Sequence, residues 1–219
     1  MKLFIDTANY HQIIKVNELG IIDGVTTNPS LLAREKIFEV KEIYQYYELL
    51  CNKVRGDVSI EVMSNNFFDM LKEGEFIAKI CSNIVIKIPM TIDGIRAIRY
   101  FASKNIKTNC TLIFSSLQAL LAAKAGATYV SPFIGRLDDI CIDGLSLLQE
   151  IKIIFSNYCF DTKILAASIR NPIHILSCAK IGVDVVTLPF HLIMNLYKHP
   201  LTRLGLKQFL SDFNQNIKF

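Results

Sequence analysis

The segment IVIKIPMT, residues 84–91, decides how the rest of the chain is read. Ile84, Val85, Ile86 and Ile88 surround a single lysine, Lys87. Pro89 has no N–H to donate, so the run cannot continue as a central strand. Thr91 then offers a side-chain oxygen to cap a helix whose inner face is Ile95, Ile98 and Ala102. The unit is a short buried strand followed at once by a helix, with a lysine near the strand's C-terminal end. Lysines ordinarily lie where the ammonium reaches water, so this one is in an unusual place.

The same unit repeats in both directions. Apolar runs occur at KLFID (2–6), IIDGVT (21–26), VSIEV (58–62), IVIKIP (84–89), IKTNCTLIF (106–114), TYVSPF (128–133), KILAAS (163–168) and VDVVTLP (183–189). These are eight expected strands, and each gap between them can hold a helix. Asn171 before Pro172 reads as a cap followed by proline in the first turn, with Gly182 past the last. Gly126 ends a helix over 116–125, and after Gly144 the residues Leu148, Ile151, Phe155 and Tyr158 recur at the spacing of a buried stripe.

Strands alternating with helices imply parallel strands joined by right-handed crossovers. Eight such units in 219 residues predict a single α/β domain over 1–219, a (β/α)8 TIM barrel. A doubly wound dinucleotide fold would need a glycine fingerprint after the first strand, and DTANY (6–10) has none. Residues 200–219 are left over as an extra C-terminal helix with Leu206, Phe209, Leu210 and Phe213 on one face. With no barrel position to fill, it is expected to pack outside the barrel or on a neighbouring subunit.

Composition narrows the function. The chain is 51% hydrophobic with a mean hydropathy of +0.33, enough for a large core. Its most apolar region, TLIFSSLQALLAAKAG (111–126), is interrupted by polar residues and does not read as a membrane span. Asp6 comes too early for a signal-peptide core, so the expectation is a cytoplasmic protein without membrane association. A net charge of +4 with scattered lysines gives no nucleic-acid stripe, although a few cations can gather around an anionic substrate. Six cysteines without a Cys-x-x-Cys pair read as reduced thiols. Four dispersed histidines give no metal-ligand spacing, and neither a metal nor another cofactor is expected.

In a barrel, chemistry is placed at the C-terminal ends of strands, on the inward face. The expected strands end in Asp6, Thr26 with Asn28, Glu61, Lys87, Asn109 with Thr111, Ser131, and Ser168 with Arg170. These residues read as sharing one parity within each strand, while their neighbours Ile5, Val25, Thr27, Ile60, Val62, Ile86, Ile88, Cys110 and Val130 face the helices. The eighth strand offers no evident catalytic group. Plainer readings stand beside the functional ones. Asn28 before Pro29 is also a helix cap, Ser131 before Pro132 is also turn chemistry, and Glu61 with Lys87 also makes a buried ion pair. Buried pairs contribute little to stability, which is a poor reason for one to exist.

The lysine has a sharper use. Burial disfavours the charged ammonium and exposes a nucleophilic amine, which attacks a ketone to form a Schiff base. The iminium withdraws electrons, so the neighbouring carbon–carbon bond can break or form. Asp6, Glu61 and Thr111 supply two carboxylates and a hydroxyl for the accompanying proton transfers. Arg136 and Arg170, with Ser168, come from the late barrel loops, a frequent phosphate site, and forked guanidiniums suit phosphate oxygens. A sugar phosphate is the substrate class these residues indicate.

The motifs FIDTAN (4–9), DGVTTNPS (23–30), VIKIPMT (85–91), KTNCTLIFS (107–115), YVSPFIGRLDD (129–139) and AASIR (166–170) together closely resemble the transaldolase family in its short bacterial form, in register as far as HPLT (199–202). The resemblance implies a metal-free Schiff-base mechanism of the pentose phosphate pathway. It places the Schiff base on Lys87, acid/base work on Asp6, and the catalytic water on Glu61 and Thr111. It puts the dihydroxyacetone contacts on Asn28, Asn109 and Ser131, and the phosphate contacts on Arg136, Ser168 and Arg170. It also implies that the last helix reaches a neighbouring subunit, in a homo-oligomer resembling ring-built decamers. The family includes fructose-6-phosphate aldolases, which tend to carry glutamine at the position of Glu61 and tyrosine at that of Phe133, so both residues here favour transfer over cleavage. A barrel that binds sugar phosphates without turnover, or a structural ring protein, are the other readings.

Overall fold

A computed structural model describes residues 1–37 and 39–216 of the chain. Its strands are β1 (Lys2–Asp6), β2 (Gly24–Thr26), β3 (Asp57–Glu61), β4 (Ile84–Pro89), β5 (Thr108–Ile113), β6 (Tyr129–Pro132), β7 (Lys163–Ala166) and β8 (Val185–Leu188). All pair in parallel in chain order, and β8 closes on β1 with Lys2 opposite Val185 and Ile5 opposite Leu188. The helices are α1 (Tyr10–Asn17), α2 (Pro29–Arg34), α3 (Val40–Cys51), α4 (Phe67–Ala78), α5 (Ile92–Ser103), α6 (Ser116–Ala125), α7 (Ile134–Asp138), α8 (Gly144–Asn157), α9 (Pro172–Ile181), α10 (Phe190–Leu196) and α11 (Pro200–Asn216). The fold is the (β/α)8 barrel with an added C-terminal helix.

Alternation along the strands sorts the core into two shells. Phe4, Val85, Tyr129, Leu165 and Val185 meet inside the barrel. Their strand neighbours, among them Ile5, Ile60, Ile86, Ile88, Val130 and Ile164, are buried against the helices. The barrel floor is packed tightly: a Cβ on Gly24 would come within 2.6 Å of the Phe4 ring and 2.5 Å of the Asp57 carbonyl oxygen, so glycine lets the ring fill the floor. Beside it the Tyr129 hydroxyl donates to Asp57 Oδ2 at 2.7 Å, and Lys107 Nζ pairs with Asp57 Oδ1 at 2.8 Å. Burial, then the bond to Asp57, pushes the Tyr129 phenol well above the ordinary tyrosine range.

Among the described residues seven helices start from a side-chain cap, α8 through Asp143, which accepts from Leu145 N–H two residues on. Asn9, Asn28, Asn66, Thr91, Ser115 and Asn171 each accept a hydrogen bond from the backbone N–H three residues on. Each such cap stabilises its helix by about 1 kcal/mol. Asn171–Pro172 and Gly182 punctuate α9 as expected, and Gly126 ends α6 in the left-handed conformation.

Several expectations shift. Ile21 and Ile22 lie outside β2, because Asp23 exchanges two bonds with the Leu3 backbone (its N–H to Leu3 O, and Leu3 N–H to its Oδ2, both 2.8 Å) and turns the chain there. In α5 the buried centre is Ala97, Ile98 and Phe101, with Ile95 and Ala102 half-buried at its edges. In α8, Leu147, Leu148, Ile151 and Phe155 are buried, whereas Tyr158 is the C-cap and is 70% exposed. Two crossovers hold a second, short helix, α2 and α7, that the spacing did not reveal. The terminal helix runs to Asn216, and residues 217–219 of its expected range lie outside the described residues. It exposes Leu201, Leu204, Leu206, Phe209 and Leu210. Among the described residues no helix is long and apolar enough to cross a membrane.

Candidate active site

A cavity of about 820 Å³ lies at the C-terminal ends of the strands. Nine of the twelve residues singled out in the sequence line it: Asp6, Thr26, Asn28, Lys87, Ser131, Phe133, Arg136, Ser168 and Arg170. Glu61, Asn109 and Thr111 stand behind that wall.

The β3–β4 register sets Glu61 directly beside Lys87, and the β4–β5 register sets Asn109 on its other side. Lys87 Nζ lies 3.0 Å from Glu61 Oε2 and donates to the Thr27 carbonyl oxygen at 2.9 Å. The ion-pair reading of these two side chains is therefore realised in the resting protein. The lysine remains only 6% exposed and faces the cavity, so the pair and a reactive role are compatible. Ser131 Oγ donates to Asn109 Oδ1 at 2.8 Å, and Asn109 Nδ2 donates to Ser59 Oγ at 3.0 Å, giving a buried polar belt across β3, β5 and β6. Asn28 both caps α2, through Leu31 N–H at 2.9 Å, and lines the cavity, so the two readings of that residue coexist.

Asp6 accepts a hydrogen bond from Thr26 Oγ1 at 2.8 Å. Thr26 Oγ1 is also 2.6 Å from Thr187 Oγ1. A hydroxyl has one hydrogen, so with Thr26 donating to Asp6 it is Thr187 that donates to Thr26. Burial pushes the Asp6 carboxyl above the ordinary aspartate range, against the opposing pull of the Lys87 charge and the Thr26 bond. Thr187 corrects the reading of the eighth strand: it lies on the inward face with Val185 and joins the cavity wall.

A β-bulge aims Thr111. In the β5–β6 ladder Cys110 pairs with Val130 and Ile113 with Pro132, so Thr111 and Leu112 together oppose the single residue Ser131. Leu112 has φ 59°, a left-handed conformation that is costly for leucine. The extra residue reverses the alternation. Ile113, which would otherwise follow Asn109 and Thr111 to the inside, is fully buried in the outer shell. The Thr111 hydroxyl is buried with no hydrogen-bond partner among the described residues. Cys110 faces outward as expected, with Sγ 3.7 Å from Met90 Sδ and its thiol pushed up to about 12 by burial.

At the rim the shared-parity reading fails for one strand. The inward residues of β7 and its extension are Leu165 and Ala167, and Ser168 reaches the cavity from beyond the strand through a left-handed backbone, φ 59°. The turn is held by Gly135 N–H donating to the Ser168 carbonyl oxygen at 3.1 Å; a Cβ on Gly135 would lie 2.2 Å from that oxygen. Arg170 Nη2 pairs with Asp139 Oδ2 at 2.8 Å, both side chains being more than half exposed. The Arg136 guanidinium lies over the Phe133 ring, 5.0 Å from its centroid, and that ring meets Phe114 edge-on. Sequence reasoning missed Asp139, Arg34 and His191, which also line the cavity.

A closed parallel barrel with a buried lysine at the base of a polar cavity, and arginines at its mouth, defines a class: (β/α)8 proteins with a polar, lysine-based pocket at the strand ends. The chain belongs to the transaldolase/fructose-6-phosphate aldolase family, whose model matches residues 3–218. It is 56% identical over 215 residues to a probable transaldolase of Phocaeicola vulgatus, covering 98% of this chain and 99% of that one. The same figures hold for a probable transaldolase of Flavobacterium psychrophilum. Among solved structures, a thiamine phosphate pyrophosphorylase from Pyrococcus furiosus superposes with a TM-score of 0.61 at 17% identity, over 86% of this chain and 85% of that one, a likeness of fold alone.

Proposed function

We propose that the protein is a transaldolase of the pentose phosphate pathway, moving a dihydroxyacetone unit from a ketose phosphate to an aldose phosphate through a Schiff base on Lys87. Sedoheptulose 7-phosphate and fructose 6-phosphate are the donors of matching chemistry. The observation that carries the reading is Lys87, buried at the cavity base between Glu61 and the Thr27 carbonyl, in a chain whose relatives are named probable transaldolases. Glu61 takes the ammonium proton, the amine adds to the ketone, and loss of water leaves an iminium. Asp6 removes the proton of the C4 hydroxyl as the C3–C4 bond breaks into the iminium, and the aldose phosphate leaves. The acceptor's carbonyl carbon then takes the enamine electrons, and its oxygen takes the proton back from Asp6. Glu61 and Thr111 handle the water lost on forming the Schiff base and consumed on hydrolysing it.

Phe133 has no hydroxyl to protonate the bound three-carbon unit, and Glu61 stands where the aldolases tend to have glutamine, which favours transfer over cleavage. For partners, the exposed apolar face of α11 fits packing on a second copy of the chain, in keeping with a homo-oligomer of the decameric kind. The test is borohydride reduction in the presence of fructose 6-phosphate, followed by mapping of the added mass. A sugar-derived mass at Lys87 is expected, together with glyceraldehyde 3-phosphate release that depends on erythrose 4-phosphate. No adduct would refute the Schiff base, and release without acceptor would make the protein an aldolase.

A further inference from the structure

We propose that His174 is a positioning residue for the substrate's phosphate: its imidazole ties the Arg170 backbone to Asp138 and so sets where Arg170 stands relative to Arg136. The inference rests on the functional reading above, which puts a phosphate against those two arginines and Ser168.

His174 is in the first turn of α9, three residues after the Asn171 cap, which accepts from its N–H at 2.9 Å. It is buried, with 10% of its side chain exposed. Both ring nitrogens are engaged. Nδ1 lies 3.4 Å from the Arg170 backbone nitrogen, and Nε2 lies 3.1 Å from Asp138 Oδ2. A backbone N–H can only donate, so Nδ1 accepts, the ring hydrogen is on Nε2, and Nε2 donates to the carboxylate. Asp138 is itself fixed, because its Oδ1 accepts from Gly144 N–H at 3.1 Å where α8 begins.

The bond to Arg170 alone would belong to an ordinary helix start, in which a first-turn side chain reaches back to a backbone N–H. The second bond leaves α9 altogether. Asp138 is the last residue of α7, the helix that carries Arg136. Arg170 follows Ser168 in the connection between β7 and α9. The path Asp138–His174–Arg170 therefore joins the two segments that bear the phosphate residues. It does so at the far end of α7 from the Gly135–Ser168 bond, which holds only the start of that helix. The Arg170 guanidinium is more than half exposed, and so is its partner Asp139, so that pair holds the arginine weakly. The buried histidine instead fixes the backbone from which the arginine starts. A clamp of two guanidiniums depends on their spacing, and this tie sets it.

The test compares His174→Asn with His174→Gln in the full chain. The Asn amide oxygen stands where Nδ1 did and keeps the bond to Arg170, but the side chain is too short to reach Asp138. Gln carries an acceptor and a donor on a longer stem and can make both. Borohydride trapping at Lys87 is run with fructose 6-phosphate and with dihydroxyacetone, which has no phosphate. His174→Asn is expected to raise the half-saturating concentration of fructose 6-phosphate about fivefold, the worth of one ordinary hydrogen bond, and to leave that of dihydroxyacetone unchanged. His174→Gln should restore most of the affinity. Asp138→Ala cuts the same tie from the other end and should give the same selective shift. In an Arg170→Gln background, His174→Asn should add less than about twofold, because the histidine acts through that arginine. Wild-type affinity in His174→Asn would make the histidine part of a helix start alone, and equal shifts for both ketones would make its role one of stability; either overturns the proposal. A second arm needs no turnover: the dissociation constant of inorganic phosphate, titrated by phosphorus NMR, should rise by the same factor in His174→Asn. If it rises while no adduct forms at Lys87, the functional reading fails and the positioning role stands. If the adduct forms and phosphate binding is untouched, the positioning role fails alone.

Discussion

Glu61→Gln removes one charge from the buried pair while keeping its shape. The side chains of Lys87 and Glu61 are 6% and 15% exposed, so water screens the contact poorly. Removing one partner of such a pair costs about 3–5 kcal/mol, because the other charge stays buried without its counterion. Lys87 keeps the Thr27 carbonyl at 2.9 Å and the field of Asp6, which places the loss near the lower end, about 3 kcal/mol. For a chain of this length that is a fall in Tm of about 6–12 °C. Adding Lys87→Met removes the stranded charge, so the double variant should be more stable than Glu61→Gln alone. Thermal unfolding of the three proteins measures both shifts. In the same variants Schiff-base trapping should slow in Glu61→Gln and recover as pH rises, since the ammonium has lost its proton acceptor. A Tm within about 2 °C of wild type, below the shift expected for 1 kcal/mol, would refute the argument that Glu61 is the counterion of a charged resting lysine.

The Asp6 carboxyl is held above its ordinary range by burial, so its ionised form costs stability above the unfolded value of about 3.9. Asp6→Asn should therefore be more stable than wild type at pH 7 and lose that advantage as pH falls below about 4, read from urea midpoints against pH. At the bulge, Leu112→Gly should be more stable than Leu112→Ala by about 1 kcal/mol, the reverse of the usual order, because only glycine is free of the left-handed penalty. Activity should run the other way, with kcat lower for glycine, since a slack backbone no longer aims Thr111. Tyr129→Phe should cost about 1.5 kcal/mol through the lost bond to Asp57, which keeps Lys107, and leave KM unchanged because the residue is on the barrel floor.

Much of the architecture was legible because strands buried on both faces read as apolar runs, and the polar interruptions fell on the inward positions near their ends. Lys87 and Glu61 stood out because charge among isoleucines is rare, and the register places them together. Thr187 was hidden because a threonine in a strand has an ordinary reason to be there, and only its distance to Thr26 gives it a role. Ser168 lines the cavity but not by alternation, which along β7 and its extension ends at Ala167; a left-handed residue brings it there. The same limit applies to the bulge, since a two-residue period cannot show where one extra residue is inserted. Helices of six and five residues, α2 and α7, are too short to display a period. Arg34 was missed with the first of them, and Asp139 follows the second.

The charges of the cavity are sorted by depth, and in the proposed reaction that sorting does chemical work. The base holds Lys87 near two carboxylates, Glu61 and Asp6, whereas among the described residues that line the cavity the mouth has the guanidiniums of Arg34, Arg136 and Arg170 and the carboxylate of Asp139. A sugar phosphate is therefore drawn in with its phosphate outward and its carbonyl toward the lysine. The charge on Lys87 also lowers the proton affinity of Asp6, opposing the effect of burial. A Schiff base in its iminium form keeps that charge in place. When the carbon–carbon bond breaks, its electrons neutralise the iminium, the opposing pull disappears, and burial alone governs Asp6 at the moment it has taken the hydroxyl proton. When the acceptor bonds to the enamine the positive charge returns, and Asp6 again becomes the stronger acid as the new alkoxide needs a proton. Bond cleavage and proton storage are in this way coupled through one charge, and the carboxyl releases its proton when an acceptor arrives.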